Sequence, residues 1–344
     1  MSCFSVSYSV LHPFAMDVIK DQMSFPNDED SSIPAFPPAF TDWGYGITNI
    51  EIDGGEKPLP TSVSMMWISI LEQKCYAARK EIDTRRLGDL MKETDGKGSF
   101  RYDQMVIGIA PYGSLAIWIR GESKSELLCH IPAQLITEHN KDLDDYLDGC
   151  PLEQHCKEWI ESEGLIDHPI IHSKTVFDNY MRQYQYRYVG LEEYFDGEAW
   201  QQYDEEDEYY DDLDLDSIED QRFDGTYDQI RDGGLMKYHK AGCPKRIAVR
   251  WHEGRHDFSA YYWLDEDAVP QTFSRFFLMN IEGRIEILLR IDTRANRYGI
   301  AMKGDFVQQP QALPTEAYQL LVFRNGLELF RSENYAQDDG AWNW

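Results

Sequence analysis

The chain of 344 residues is 42% hydrophobic and 13% aromatic, which excludes a disordered chain and allows one large domain or two ordinary ones. Its 61 acidic residues against 33 Lys and Arg give a net charge of −28, which disfavours nucleic acid and anionic membranes as partners. The same negative charge would attract a basic protein as a partner. The alternative is that the charge only keeps the protein soluble.

The cysteines and the N-terminus bear on the cellular compartment. The N-terminal stretch has no Lys or Arg ahead of its mildly apolar run, Pro13 interrupts it, and no run reaches the ~18 apolar residues of a membrane span. No disulfide spacing pattern relates the cysteines, which indicates reduced thiols. They are Cys3, Cys75, Cys129, Cys150, Cys156 and Cys243. We expect a cytoplasmic protein without a membrane span, with a periplasmic location as the alternative if the start codon or signal is misread.

Residues 1–40 are rich in proline and acids and are predicted to form an irregular N-terminal arm. A first α+β half is predicted over 41–190. It contains two paired strands, a helix with Asp83 as its N-cap, and a hairpin around Pro111-Tyr112-Gly113. The predicted strands cover residues 62–68, 74–82, 104–110 and 114–120, and the predicted helix covers 84–93.

Residues 192–224 are acidic and studded with tyrosines, and Arg222 is their only basic member. Self-repulsion predicts a loop, so residues 191–240 are interpreted as an acidic insert or linker. Tyrosine beside carboxylate suits a surface that binds a basic partner, and a passive solvated linker is the alternative. The candidate partner-binding residues are Glu208, Tyr209, Tyr210, Asp211 and Asp212.

A second α+β half is predicted over 241–344, and it repeats the element order of the first. Its predicted strands cover 246–251, 257–264, 284–291 and 297–304, with a helix at 269–277. A last hairpin turns at Asn325-Gly326. The landmarks of the repeat are the pairs Trp67 and Trp251, Tyr76 and Tyr261, Leu87 and Phe273, Trp118 and Met302. The predicted fold is α+β, mainly antiparallel sheet with a few helices, in two similar strand-strand-helix-strand-strand halves. A chance match of two ordinary segments is the alternative.

The segment from His252 to His256 satisfies the pattern H-E-x-x-H, which binds zinc in metalloproteases. That chemistry requires a helix, where both histidines share one face and the glutamate polarises a water. Here the flanking runs are β-branched and aromatic, and Gly254 lies in the middle. We therefore predict a turn between two strands, without bound metal.

Other groups of potential metal ligands are incomplete. The spaced acids Asp212, Asp214 and Asp216 resemble the start of a calcium loop but lack its later glycine and glutamate. Cys150, His155 and Cys156 lack a fourth ligand, for which Cys129 or His130 would have to be brought in by folding. No catalytic residue, metal site or cofactor is nominated.

The first half carries a motif of the form W-x-S-x-x-E-x-x-x-Y at Trp67, Ser69, Glu72 and Tyr76. A helix follows, and then a G-I-A-P-x-G hairpin at 108–113 that ends in W-x-x-G. In these features the chain resembles a bacterial family known only as a domain of unknown function.

The resemblance covers most of residues 43–125 and 170–305. Members of that family are similar to proteins encoded beside type VI secretion effectors, notably lipase-like toxins, where they are thought to act as immunity proteins. The resemblance therefore implies a non-catalytic protein that neutralises or holds a cognate toxin, and we expect it to do so by occluding the toxin. The net charge of −28 separately predicts a basic contact face on the toxin. The alternatives are a metal-dependent hydrolase using His252, Glu253 and His256, and a structural or adaptor protein of the secretion machinery.

Overall fold

The computed structural model describes most of the chain in detail. The described residues are 5–11, 15–26, 28–31, 40–41, 43–44, 50–51, 59–94, 98, 100–137, 139–165, 174–196, 199–202, 215–231, 234–235, 237–279, 283–292, 295–304 and 310–335. The chain divides into two compact units. The first contains Met1–Phe177 and Asp224–Thr226, and the second contains Asp178–Phe223 and Tyr227–Trp344.

The first unit consists of two sheets and short helices. Its strands are β1 (Ser5–Leu11), β2 (Met16–Phe25), β3 (Asp28–Ser31), β4 (Phe40–Thr41), β5 (Ile50–Glu51), β6 (Ser62–Ser69), β7 (Lys74–Glu81), β8 (Gln104–Ala110), β9 (Ser114–Arg120), β10 (Lys124–Pro132) and β11 (Gln134–Leu135). Its helices are α1 (Thr84–Leu90), α2 (Lys141–Leu147) and α3 (Leu152–Glu163), and α4 (Lys174–Tyr180) contains the boundary between the units. One sheet has the order β4-β1-β8-β9-β10, with β5 also paired to β1, and the other has the order β11-β7-β6-β2-β3.

The N-terminal region differs from the irregular arm predicted for residues 1–40. Strand β1 lies parallel to both β4 and β8, and β2 pairs antiparallel with β6. Val6, Val10 and Met23 are buried to at least 99%. The N-terminal sequence alone does not predict these two strands, because the strands that pair with them lie far along the chain.

Helices α2 and α3 cover one face of the second sheet. Leu143 and Cys156 lie in a buried cluster with Met66, Ile68 and Cys75. Burial of each of the larger apolar side chains stabilises the folded state by about 1.5–3 kcal/mol. This packing leaves the polar faces of both helices turned to solvent.

The second unit is also β-rich. Its strands are β12 (Gln183–Phe195), β13 (Trp200–Gln202), β14 (Leu215–Arg222), β15 (Tyr227–Arg231), β16 (His239–Gly242), β17 (Pro244–Glu253), β18 (His256–Leu264), β19 (Arg284–Asp292), β20 (Arg297–Gly304), β21 (Gln311–Ala312), β22 (Tyr318–Arg324) and β23 (Leu327–Arg331). Helix α5 (Ala268–Met279) follows β18. One run of paired strands has the order β23-β22-β18-β17-β14-β15, and the other sheet has the order β13-β12-β19-β20-β21, with β16 paired to β12.

The described parts of the predicted insert or linker at 191–240 are largely strands. Residues 192–195 belong to β12, and β14 and β15 lie within the same range. Burial is possible because the acids find cationic partners: Glu193 lies 3.0 Å from Arg290, and Asp220 lies 2.9 Å from Arg222. Composition alone made this region look solvated, since a buried ion pair cannot be distinguished from an exposed one in the sequence.

The locally encoded elements match their predictions closely. Asp83 caps α1 by accepting hydrogen bonds from the backbone N–H groups of Arg85 and Arg86. Asn325 and Gly326 have φ angles of 49° and 78° and form the two-residue turn between β22 and β23. The fold is thus mainly antiparallel β-sheet with a few helices, and the α+β class is confirmed.

Candidate functional site

The motif residues of the first unit meet around the carboxylate of Glu72, whose side chain is only 4% exposed. The carboxylate accepts hydrogen bonds from Ser69 Oγ at 2.8 Å, from Tyr76 Oη at 3.0 Å and from the backbone N–H of Tyr112 at 2.9 Å. Burial, reinforced by Glu72, raises the pKa of Tyr76 well above its usual range. Glu72 therefore joins the turn between β6 and β7 to the turn between β8 and β9.

The turn between β8 and β9 packs against Tyr76 at Gly113. Its φ is +67°, and a Cβ at this position would lie 2.7 Å from the ring of Tyr76. Glycine is thus required both by the backbone conformation and by the close approach of the tyrosine. The spacing of the motif residues has a structural reason, which is the packing of two hairpin turns against each other.

In the second unit, the H-E-x-x-H segment forms the tip of the hairpin between β17 and β18, as predicted. Glu253 pairs with His256 across a two-residue turn in which Gly254 has φ +61°. Side chains alternate along a strand, so His252 and His256 project from opposite faces of the hairpin. The helical arrangement that a zinc protease needs is not formed by these residues.

His252 is instead held between two carboxylates. Its Nδ1 contacts Asp216, and its Nε2 lies 2.8 Å from Asp257. Ionised carboxylates only accept hydrogen bonds, so both contacts are hydrogen bonds when each ring nitrogen carries a proton. His256 lies separately, with Nδ1 3.0 Å from the amide nitrogen of Asn325.

A β-bulge brings Asp216 to His252. Leu215 pairs with Trp251 and Ser217 pairs with Arg250, so Asp216 is an extra residue in β14. A bulge of this kind redirects a side chain, and here it turns the carboxylate towards the neighbouring strand. The sequence contains no signal for it, because a bulge is set by the register of both strands.

These residues lie in an open cleft of the second unit with a volume of about 580 Å³. The cleft contains acidic, basic, hydroxyl and aromatic residues. It is lined by Asp216, Ser217, Arg231, Arg250, Trp251, His252, Asp257, Phe258, Ser259, Tyr261 and Gly326. Its volume lies within the range of small-molecule sites, roughly 300–1,000 Å³. Sequence reasoning found His252 but missed the arginines and serines, because strand pairing brings them together.

A second polar cluster of this unit is buried. Tyr186 donates a hydrogen bond to Asp220 at 2.7 Å, and Arg222 Nε donates to both residues at 3.0 and 2.9 Å. His239 lies 4.0 Å from Asp220, and burial lowers its pKa despite that carboxylate. Burial also raises the pKa of Tyr186 well above its ordinary value. This network fixes β12, β14 and β16 together.

The remaining sequence candidates fall into two groups, those outside the described residues and those that the described structure places. Glu208, Tyr209, Tyr210, Asp211 and Asp212 lie outside the described residues, as does Asp214. Cys156 is buried in the core, whereas His155 lies 3.0 Å from Asp17. Within the described ranges, no three or more His, Cys, Asp or Glu side chains are grouped so as to hold a metal ion.

The described geometry defines a β-rich α+β protein with an open mixed-charge cleft. Among the described helices, none is both long and apolar enough to cross a membrane. Residues 2–165 match the model of a bacterial family described as "Protein of unknown function (DUF2931)". No curated protein and no solved structure matches the chain. The matched range lies within the first unit and includes the motif around Glu72, which supports an uncharacterised bacterial domain family for this part of the chain.

Proposed function

We propose that the protein is a non-catalytic binding protein that neutralises or holds a toxin or effector protein by occluding it. The observation that carries the proposal is an acidic surface formed by α2, α3 and their connection, here called the acidic helical surface. Its exposed carboxylates are Asp142, Asp144, Asp145, Asp148, Glu153, Glu158, Glu161 and Glu163.

The fold presents these charges outwards. Leu143 and Cys156 anchor the helices in the core. The acids between residues 141 and 163 are only partly offset, by Lys141 and Lys157 within that range and by Lys20 of β2, which pairs with Asp142 at 3.1 Å. An exposed surface with an excess of carboxylates, in a chain of net charge −28, attracts a basic face and raises the rate of encounter. The effect is screened beyond ~8 Å at physiological salt, so it acts chiefly on association.

Affinity itself is expected to depend on a few desolvated anchors rather than on exposed charges. The candidate anchors are Tyr209 and Tyr210, flanked by Glu208, Asp211 and Asp212. In the specific form implied by the family resemblance, the partner is a lipase-like toxin of a type VI secretion system. Independently of that resemblance, we propose that the protein acts in the cytoplasm.

We also infer that the two units share one plan. In the first unit β1 is parallel to β8, and β6 pairs with β2 and β7. In the second unit β12 is parallel to β19, and β17 pairs with β14 and β18. Trp67 and Trp251 are both fully buried two residues before the ends of β6 and β17. Trp251 pairs with Phe258, so Phe258 rather than Tyr261 is the counterpart of Tyr76. Superposing experimental structures of the two units tests this plan.

The binding proposal is tested by purifying the tagged full-length protein from its native bacterium, identifying its partner, and measuring association and dissociation at several salt concentrations. The acidic variant carries Asp145→Asn, Glu153→Gln and Glu163→Gln. A matched control neutralises three exposed acids elsewhere, in Asp267→Asn, Glu316→Gln and Glu333→Gln.

Raising salt from about 50 to about 500 mM should slow association by about tenfold. The acidic variant should associate several-fold more slowly than the control, with dissociation unchanged. Replacing Tyr209 and Tyr210 by alanine should instead speed dissociation. The proposal would be contradicted if the association rate did not change with salt or with any of these substitutions. It would also be contradicted if this protein catalysed a reaction on its partner.

A further inference from the structure

A row of four polar residues crosses the cleft of the second unit. Ser217 pairs with Arg231 on β15 and with Arg250 on β17, and Arg250 pairs with Ser259 on β18. Residues directly paired across neighbouring strands share one face of the sheet. The order along this face is therefore Arg231, Ser217, Arg250 and Ser259, and all four line the cleft.

The spacing of the row suits an oxyanion. Neighbouring strands lie ~4.8 Å apart, so the two arginine backbones are ~10 Å apart with Ser217 between them. Guanidinium groups bind carboxylate and phosphate oxygens through paired N–H donors, and serine hydroxyls add further donors. Both arginine side chains are exposed and can reach a group placed over Ser217.

The guanidinium groups are oriented by the next row of the sheet. Arg231 Nη2 donates to Gln229 Oε1 at 2.8 Å, and Gln229 Nε2 donates to Glu219 Oε1 at 3.1 Å. Arg250 Nη2 lies 3.6 Å from the same Glu219 oxygen. Arg250 thus pairs with Glu219 directly, whereas Arg231 reaches it only through the neutral amide of Gln229. One carboxylate against two guanidinium groups leaves a net positive charge at this end of the cleft.

The carboxylates of Asp216 and Asp257 line the same cleft and would repel an anion near them. Both, however, contact the ring of His252. His252 follows Arg250 by two residues on β17, which corresponds to ~7 Å along the strand. The cleft therefore has a basic end at the arginines and an acidic end at the hairpin tip, and an oxyanion is favoured only at the first.

We propose that the row Arg231–Ser217–Arg250–Ser259 is a binding site for the oxyanion group, carboxylate or phosphate, of a small ligand. The site lies in the second unit and does not depend on the acidic helical surface. The rest of the ligand extends towards His252, where Asp216 and Asp257 favour a neutral or cationic group.

The experiment titrates the full-length protein with inorganic phosphate and, in a separate arm, with succinate, at constant ionic strength. Binding is followed by the Nε–Hε NMR signals of the arginine side chains, which report on the site itself. We expect saturable binding of at least one probe in the millimolar range, with shifts at Arg231 and Arg250. Phosphate binding alone identifies a phosphate-bearing ligand, and stronger succinate binding identifies a carboxylate.

Arg231→Gln and Arg250→Gln should each weaken binding by about tenfold, because each removes a charge-assisted hydrogen bond. Arg275→Gln, an exposed arginine of α5, is the matched control and should bind as the wild type does. Arg250→Lys keeps the charge but not the paired donors, so it should give a smaller loss and serves if the glutamine variant does not fold. Absence of saturable binding in both arms, or equal affinity in all variants, would overturn the proposal.

Discussion

The carboxylate of Glu72 accepts a hydrogen bond at 2.9 Å from the backbone N–H of Tyr112, a residue forty positions later in the chain. The contact joins the turns of two hairpins that belong to different sheets of the first unit. It gives a structural role to the most distinctive sequence motif of the chain and leads to the first two predictions.

Replacing Glu72 by alanine should lower the free energy of unfolding by about 2–4 kcal/mol, because the buried hydroxyls and N–H that it accepts from lose their partner. Urea denaturation measures the change. Glu81→Ala, at an exposed position on the neighbouring strand, should change stability by less than about 0.5 kcal/mol. Equal effects of the two substitutions would show that the Glu72 contacts contribute little.

Gly113→Ala and Gly254→Ala form a matched pair, because both glycines have positive φ. A Cβ at Gly254 would meet nothing within 4 Å, whereas at Gly113 it would meet the ring of Tyr76. Gly254→Ala should cost about 1 kcal/mol from backbone conformation alone. Gly113→Ala should cost at least about 1 kcal/mol more, because of the additional steric clash. Thermal unfolding of both variants decides whether the packing against Tyr76 is as tight as described.

His239 should make stability depend on pH. Burial lowers its pKa from the ordinary 6.5, and Arg222 acts in the same direction, while Asp220, Asp228 and the carbonyl of Lys237 oppose the shift. The unfolded chain then binds the proton more readily than the folded one. The contribution of the neutral His239 imidazole to the free energy of unfolding is complete above pH 6.5. It is lost as the pH falls towards the lower pKa that His239 has in the folded chain.

We therefore expect His239→Gln to lose less stability than the wild type between about pH 7.5 and about pH 5, as measured by chemical denaturation at each pH. His139→Gln, which replaces a fully exposed histidine, should keep the wild-type slope. A steeper slope in His239→Gln would reverse the sign and contradict the burial of the imidazole.

The buried cysteines should resist alkylation. Burial raises the pKa of Cys75 to about 11 and that of Cys156 to about 12, the latter with a contribution from Asp17. The thiolate is the reactive form, so iodoacetamide at about pH 8 should modify these two residues at least about 100-fold more slowly than in urea. Cys150 is half-exposed and should react before these two buried residues. Peptide mass spectrometry over time measures each rate, and rapid native labelling of Cys75 would show that the core of the first unit opens readily.

Local sequence determined the hairpins and the helix start. Asn325-Gly326 and Gly254 turn the chain because their backbones adopt positive φ, and Asp83 begins a helix by accepting from its first N–H groups. These outcomes depend on residues within a few positions of one another, so pattern and propensity were sufficient. The α+β class and the absence of a helical zinc motif followed from the same evidence.

Tertiary structure alone decided the rest. Strands β1 and β2 pair with strands that lie far along the chain. The N-terminal sequence therefore did not predict that these segments belong to sheets. Asp220 can be buried because it accepts hydrogen bonds from Tyr186 and Arg222. Composition alone predicted a solvated loop for this segment. The row containing Arg231 and Arg250 likewise exists only through the register of four strands. Register is set by long-range packing rather than by the residues being paired, and for that reason the cleft could be found only in the folded chain.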